Sequence, residues 1–293
     1  MKDLDRAFKA FFEKRARFPR FKTRKKDQPR FRIPQRVKVE DSKVYVPKVG
    51  WVRIRQSQPI DCPIKGATFK RDADGHWYVS LTAEFEMPDV PLPPANPERV
   101  VGIDLGLRHF AVLSDGTPPI DPPQFYRKGL AKLRRAQRAL SRKQKGSKNR
   151  EKARKRLAKL HRKIANQRRD FHHKVARKLV NRYGTIVHED LNVQALSRSY
   201  VAKGIHDAGW AQFLAILAYK AEEAGRRVIK VDPKYTSQDC PVCGHREKKP
   251  LWVRVYTCPQ CGTLLHRDVA AAQNILAKAW TGPSGAIPRS PGL

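Results

Sequence analysis

Three acidic residues stand where divalent-metal chemistry could be done. Asp104 closes the apolar run Val100–Ile103, Glu189 follows the run Thr185–Val187, and Asp268 opens the Ala-rich stretch DVAAAQNIL. The pattern predicts two buried strands that each end in a carboxylate, and a helix that begins with one. A single acid at a strand end is usually a solvated residue. Two strand-then-acid patterns followed by a helix-first acid point instead to a shared site, which only a fold that gathers distant elements can build. Clustered carboxylates suit hard cations with oxygen ligands, Mg²⁺ or Mn²⁺. Two such ions about 4 Å apart can clamp the attacking and leaving oxygens of a phosphodiester.

A second constellation lies just before the third acid. Cys240-Pro-Val-Cys243 is followed after fourteen residues by Cys258-Pro-Gln-Cys261. Paired CxxC knuckles at about this separation predict a structural Zn²⁺ ribbon over residues 236–264. Gly244 and Gly262 follow the two knuckles and permit the tight turn around a thiolate. Trp252, Val253 and Tyr256 are expected to form a small hairpin core between them. The alternative is two disulfides. The chain opens without a signal peptide and reads as cytoplasmic, which favours zinc. Four thiolates fill a tetrahedron, so His245 and His266 are read as non-ligands. Cys62, in the Pro-rich stretch PIDCPIKG, is read as an unpaired thiol.

At these residues the chain resembles the TnpB (OrfB) proteins of bacterial insertion sequences, relatives of the type V CRISPR effector nucleases. The matching segments are GIDLGLRHFAVLSDG at 102–116, VHEDLNV at 187–193, GWAQFLAILAYKAEEAGRRVIKVDPKYTSQDCPVCG at 209–244 and YTCPQCGTLLHRDVAAAQNIL at 256–276, in the family's order. The resemblance implies a RuvC-like domain of RNase H-like α/β fold. Asp104, Glu189 and Asp268 would be its Mg²⁺ ligands, and guide RNA and target DNA its partners. The guide RNA enters through the resemblance alone. Two positions depart from the family pattern: His266 stands where an acid is common, and Ala270 where many relatives carry Asn. Relatives also carry more upstream sequence, so the chain is expected to open inside a helical recognition lobe. A non-cutting remnant or guided repressor, and a DNA-strand transferase, are the competing functions.

Elements able to position these residues can be read along the chain. Lys and Arg outnumber Asp and Glu by 62 to 27, a net +35 that calls for an anionic partner, and nucleic acid is the obvious one. No apolar run is long enough for a membrane span, and the expected setting is cytoplasmic and nucleoid-associated, with the protein a monomer on its RNA. Residues 1–36 are basic, with Leu4, Phe8, Phe11 and Phe12 on one face of a helix and aromatics interleaved with cations after it. Residues 37–86 predict a small barrel-like β-domain with a hairpin turn at Asp74-Gly75; by resemblance this is a wedge domain that holds guide RNA. Residues 87–97 form a Pro-rich linker. The nuclease domain is expected over 98–280, with a second strand at His109–Ser114 and a helical-hairpin insertion at 124–183. That insertion holds 24 Lys or Arg and 2 acids, a net +22. Its seam is predicted at Leu130, Leu133 and Leu140 on one leg and Leu157, Leu160, Ile164, Phe171 and Val175 on the other. A one-signed charge run repels itself unless it meets phosphate. A helix at Trp210–Ala224 and a strand at Arg227–Val231 lead into the ribbon, and 281–293 is expected to be a disordered tail.

Overall fold

The computed structural model describes residues 2–21, 23, 27–84, 99–199, 201–250 and 252–281. The Pro-rich linker at 87–97 and the tail beyond 281 lie outside the described residues. The chain divides into two compact units, Met1–Pro88 with Arg142–Lys159, and Asp89–Ser141 with Leu160–Leu293.

The first unit opens with α1 (Lys2–Phe12), where Phe8 and Phe11 meet Phe18 edge-on at 5.7 and 5.3 Å between ring centres. Leu4 and Phe12 of the same expected apolar face are exposed. Six strands follow: β1 (Arg30–Ile33), β2 (Val39–Glu40), β3 (Lys43–Val46), β4 (Gly50–Arg53), β5 (Ile64–Arg71) and β6 (Trp77–Ala83). β1 lies upstream of residue 37, where the sequence opened the β-region. Among the described residues these strands form two three-stranded sheets, β1-β5-β6 and β2-β3-β4; no closed barrel is found, and the expected barrel-like domain is not confirmed. Closure needs strands long enough to tilt and stagger around a ring, and β2, β3 and β4 span only two to four residues. Val44, Val46, Ala67 and Phe69 fill the core of this unit. The predicted hairpin is present: β5 and β6 pair antiparallel, and Gly75 takes φ +95° at the turn.

The second unit is an α/β layer structure. Its sheet contains β7 (Val100–Asp104), β8 (Val112–Leu113), β9 (Thr185–Glu189) and β10 (Arg227–Val231), in the order β10-β9-β7-β8. β7, β9 and β10 are parallel, and β8 is an antiparallel edge. β8 is shorter than predicted because the Phe110 and Ala111 amides turn to the Ile120 carbonyl. Its helices are α2 (Phe125–Ser141), α3 (Lys148–Arg182, of which the part up to Lys159 falls in the first unit), α4 (Val193–Leu196), α5 (Ala202–Ala208), α6 (Trp210–Glu223) and α7 (Arg267–Thr281).

Alternation along the strands sorts the core into two layers. Val101, Ile103 and Ile186 face Val175, Leu179, Phe213 and Leu217 of α3 and α6. Val187 and Val231 face Ile275 and Ala279 of α7. α2 and α3 are the predicted basic hairpin. Its seam residues Leu130, Leu140, Leu160 and Ile164 are only half-buried, and full burial on α3 begins nearer the sheet, at His172 and then Val175–Val180. The hairpin is fixed at its base by α5: the Asp207 carboxylate accepts the Tyr126 and Arg127 amides at 2.8 and 3.1 Å, capping α2 from 80 residues away. Among the described residues no helix is long and apolar enough to cross a membrane.

Candidate active site

Strand register brings the first two acids together. β7 and β9 pair in parallel from Val100–Thr185 to Ile103–His188, and the next step of that register is Asp104 beside Glu189. Adjacent strands lie about 4.8 Å apart. By alternation Asp104 shares a face with Gly102, and Glu189 with Val187, so both acids point to the layer occupied by α7.

The third acid arrives on α7 through a close backbone approach. A Cβ on Gly102 would stand 2.1 Å from the Ala272 carbonyl oxygen and 2.9 Å from the Leu276 amide nitrogen. No side chain fits there, and its absence lets α7 lie directly on β7. From that contact, two residues up the strand cover about 6.6 Å and four residues back along the helix cover about 6 Å. These steps reach Asp104 and Asp268, which meet when helix and strand run antiparallel, as their mutual repulsion requires.

The three acids are in electrostatic conflict. Burial pushes the Asp104 carboxyl up to about 7, the negative charges of Glu189 and Asp268 push it the same way, and Arg267 and Arg254 oppose them. Burial also raises Glu189, against a hydrogen bond from Thr236 and the charge of Lys278. Arg254 Nη1 donates to Asp268 Oδ1 at 3.0 Å. The donor set is all oxygen and carries excess negative charge, which fits Mg²⁺ or Mn²⁺. Among the described residues the carboxylate oxygens do not all lie within reach of a single ion, as the four thiols do.

The cysteines do come together. Their four sulfurs lie within 4.8 Å of one another, with Cys240–Cys261 at 3.8 Å and Cys243–Cys258 at 3.6 Å. A tetrahedron of Zn–S bonds of about 2.3 Å has edges of about 3.8 Å. The two knuckles repeat one backbone pattern. The Cys240 amide donates to His245 O and the Gly244 amide to Cys240 O; the Cys258 amide donates to Thr263 O and the Gly262 amide to Cys258 O. Both glycines take positive φ, +76° and +69°. β11 (Val255–Thr257) and β12 (Leu264–His266) pair antiparallel and carry the second knuckle at their tip. The expected hairpin core is corrected: Trp252 is 81% exposed, and Tyr256 lies half-buried under Lys249 Nζ, 4.1 Å from the ring centre. So small a ribbon has too little apolar interior to be its own core, and its centre is the thiol cluster.

Sequence reasoning named the acids and thiols but missed what surrounds them. Thr236 is 3% exposed, and its Oγ1 donates to Glu189 Oε1 at 2.5 Å. Arg254 and Asn274 gave no signal, since each finds its partner through the fold. Gly102, inside an apolar run, could have been noticed as a glycine in a central strand, a mark of close backbone approach.

Residues 81–200 match the family described as a probable transposase of the OrfB type, and residues 210–275 match the Cas12f1-like TNB domain. The chain is 40% identical to "Putative RNA-guided DNA endonuclease InsQ" of Escherichia coli K12, over 94% of this chain and 72% of that protein. It is 38% identical to a protein of the same description from Streptomyces pristinaespiralis, over 94% and 69%. Among solved structures, a Cas12f1–sgRNA–target DNA complex superimposes with a TM-score of 0.60 over 94% of this chain and 69% of that one. At 16% identity that likeness is one of fold. With two relatives matched over most of their own length, the chain belongs to the TnpB/OrfB family of RNA-guided DNA endonucleases.

Proposed function

We propose that this protein is an RNA-guided DNA endonuclease whose RuvC-like domain is the α/β unit and whose catalytic groups are Asp104, Glu189 and Asp268. The observation that carries the reading is the approach of carboxylates from β7, β9 and α7, with the Asp104 carboxyl pushed up to about 7 by burial and then by the charges of Glu189 and Asp268. Such a cluster is costly to keep ionised until a cation offsets its charge. The relatives' descriptions support DNA as the substrate and RNA as the guide.

The three carboxylates would hold two Mg²⁺ or Mn²⁺ ions. Bound there, the metal supplies Lewis-acid activation of the attacking water and of the leaving 3′ oxygen. The protein's own part is to orient and to bind. Thr236 fixes one oxygen of Glu189, and Arg254 neutralises Asp268 and keeps a positive charge beside the phosphodiester. Cys240, Cys243, Cys258 and Cys261 would hold a structural Zn²⁺ in the ribbon that leads directly into α7. The cationic hairpin of α2 and α3, and the aromatic and basic surface of the first unit, would contact phosphates and bases of the RNA and DNA.

The test uses the protein co-expressed with its flanking DNA and purified with the RNA it retains. The wild type should cut a plasmid bearing a matching target only when Mg²⁺ or Mn²⁺ is present. Asp104→Ala, Glu189→Ala and Asp268→Ala should each abolish cutting and keep the RNA. A wild type that binds RNA and never cuts would favour a non-cutting guided binder.

A further inference from the structure

We infer that Thr236 is a positioning residue for Glu189, and that Asn274 ties it to the first cysteine knuckle. The ribbon thereby holds the second carboxylate of the site as well as the third. This rests on the proposed role of Glu189 as a metal ligand.

Glu189 is the last residue of β9, paired in register with Val231 of β10. Thr236 is 3% exposed, and its hydroxyl lies 2.5 Å from Glu189 Oε1 and 3.0 Å from the Pro233 carbonyl. A hydroxyl has one proton, and an ionised carboxylate is the stronger acceptor. The bond therefore engages one oxygen of Glu189 and leaves the other for a cation. Metal-binding carboxylates commonly depend on such a partner for their orientation.

What fixes Thr236 is an amide from α7. Asn274 is 9% exposed, and its Nδ2 donates to the Thr236 carbonyl at 2.8 Å and to the Asp239 carbonyl at 2.7 Å. Two carbonyl acceptors require the NH₂ end there, so the amide orientation is determined. Asp239 immediately precedes Cys240, whose amide closes the first knuckle. One chain of hydrogen bonds thus runs from the knuckle through Asn274 and Thr236 to Glu189. The helix that presents Asp268 is the helix that supplies Asn274.

A Thr236 that merely satisfied its own hydroxyl on Pro233 would affect stability and nothing else. The experiment therefore reads metal binding apart from cleavage. Mn²⁺ binding is followed by electron paramagnetic resonance on zinc-loaded protein, for the wild type, Thr236→Val, Thr236→Ala, Thr236→Ser and Asn274→Ala. Thr236→Val and Thr236→Ala should weaken Mn²⁺ binding by roughly 10- to 100-fold, with zinc content and RNA retention unchanged, and Thr236→Ser should stay near the wild type. Asn274→Ala should move in the same direction. If Thr236→Val folds poorly, the Ala and Ser variants still differ by a single oxygen. Mn²⁺ binding equal to the wild type in Thr236→Val and Thr236→Ala would overturn the role of Thr236. Unchanged binding in zinc-loaded Asn274→Ala would detach the ribbon from Glu189. A wild type that binds Mn²⁺ yet cuts no DNA would refute the endonuclease reading while leaving this comparison intact.

Discussion

Asp104, half-buried, and His172, fully buried, are titratable groups with opposite fates. Asp104 is raised by burial and by two neighbouring acids, a conflict that a bound cation would relieve. His172 is fully buried among Phe110, Phe171 and Phe213, with Nε2 on the Ala208 carbonyl at 2.8 Å. Burial, Arg168 and His173 hold it down to about 4, outweighing the bond to Ala208, so it stays neutral in the fold. The unfolded chain takes up a proton at about 6.5. Stability therefore falls as pH drops from about 6.5 to about 4, by up to about 3 kcal/mol from this residue. Urea denaturation of His172→Phe across that window should show a shallower acid loss than the wild type; equal slopes would refute the assignment. The cysteine cluster was legible in the sequence because residue type and spacing carry its chemistry, and the acids stand out as candidates on the same ground. Thr236, Arg254 and Asn274 were not, because a hydroxyl, a guanidinium and an amide acquire meaning only from the tertiary partner each meets.

The elements were readable where a periodic pattern ended on a marked residue. β7, β9 and β10 follow the apolar runs, and α6 and the two hairpin helices follow their predicted bounds closely. Barrel closure was not readable, since alternation specifies a half-buried strand but not its neighbours. Nor was the contact of β7 with α7, which depends on the absent side chain of Gly102. Gly102→Ala should push α7 off the strand at a cost of about 1–3 kcal/mol or more. Asp268 would move with it, so cleavage should collapse while zinc content and RNA retention persist; wild-type cleavage in this variant would show that the contact does not place the site. The ribbon makes a parallel claim. Metal analysis should find one Zn²⁺ per chain, and Cys243→Ser should lose it together with activity, because structural zinc supplies about 10–16 kcal/mol of apparent binding free energy. Zinc-free, fully active protein would contradict the account.

At the scale of the whole molecule, charge is the dominant fact. Residues 124–183 hold a net +22 of the chain's +35. Arg134, Arg138, Lys163 and Arg169 are exposed on the hairpin, remote in sequence from the three acids. Reversing all four to Glu should weaken nucleic-acid binding for every sequence alike. It should also flatten the salt dependence, by about 0.9 log units per lost duplex phosphate contact, or about 0.7 on single strands. A variant with an unchanged salt slope in filter binding would make the hairpin a solvated connector. The central claim is that three carboxylates from three elements act as one metal site on DNA. It is tested most directly by single-turnover guided cleavage with Asp104→Ala, Glu189→Ala, Asp268→Ala and the pairwise combinations. Groups that work as a unit are non-additive, so each single variant should lose as much rate as any pair, with RNA retained throughout. A single variant that cuts near the wild-type rate, or losses that simply multiply in the pairs, would contradict it.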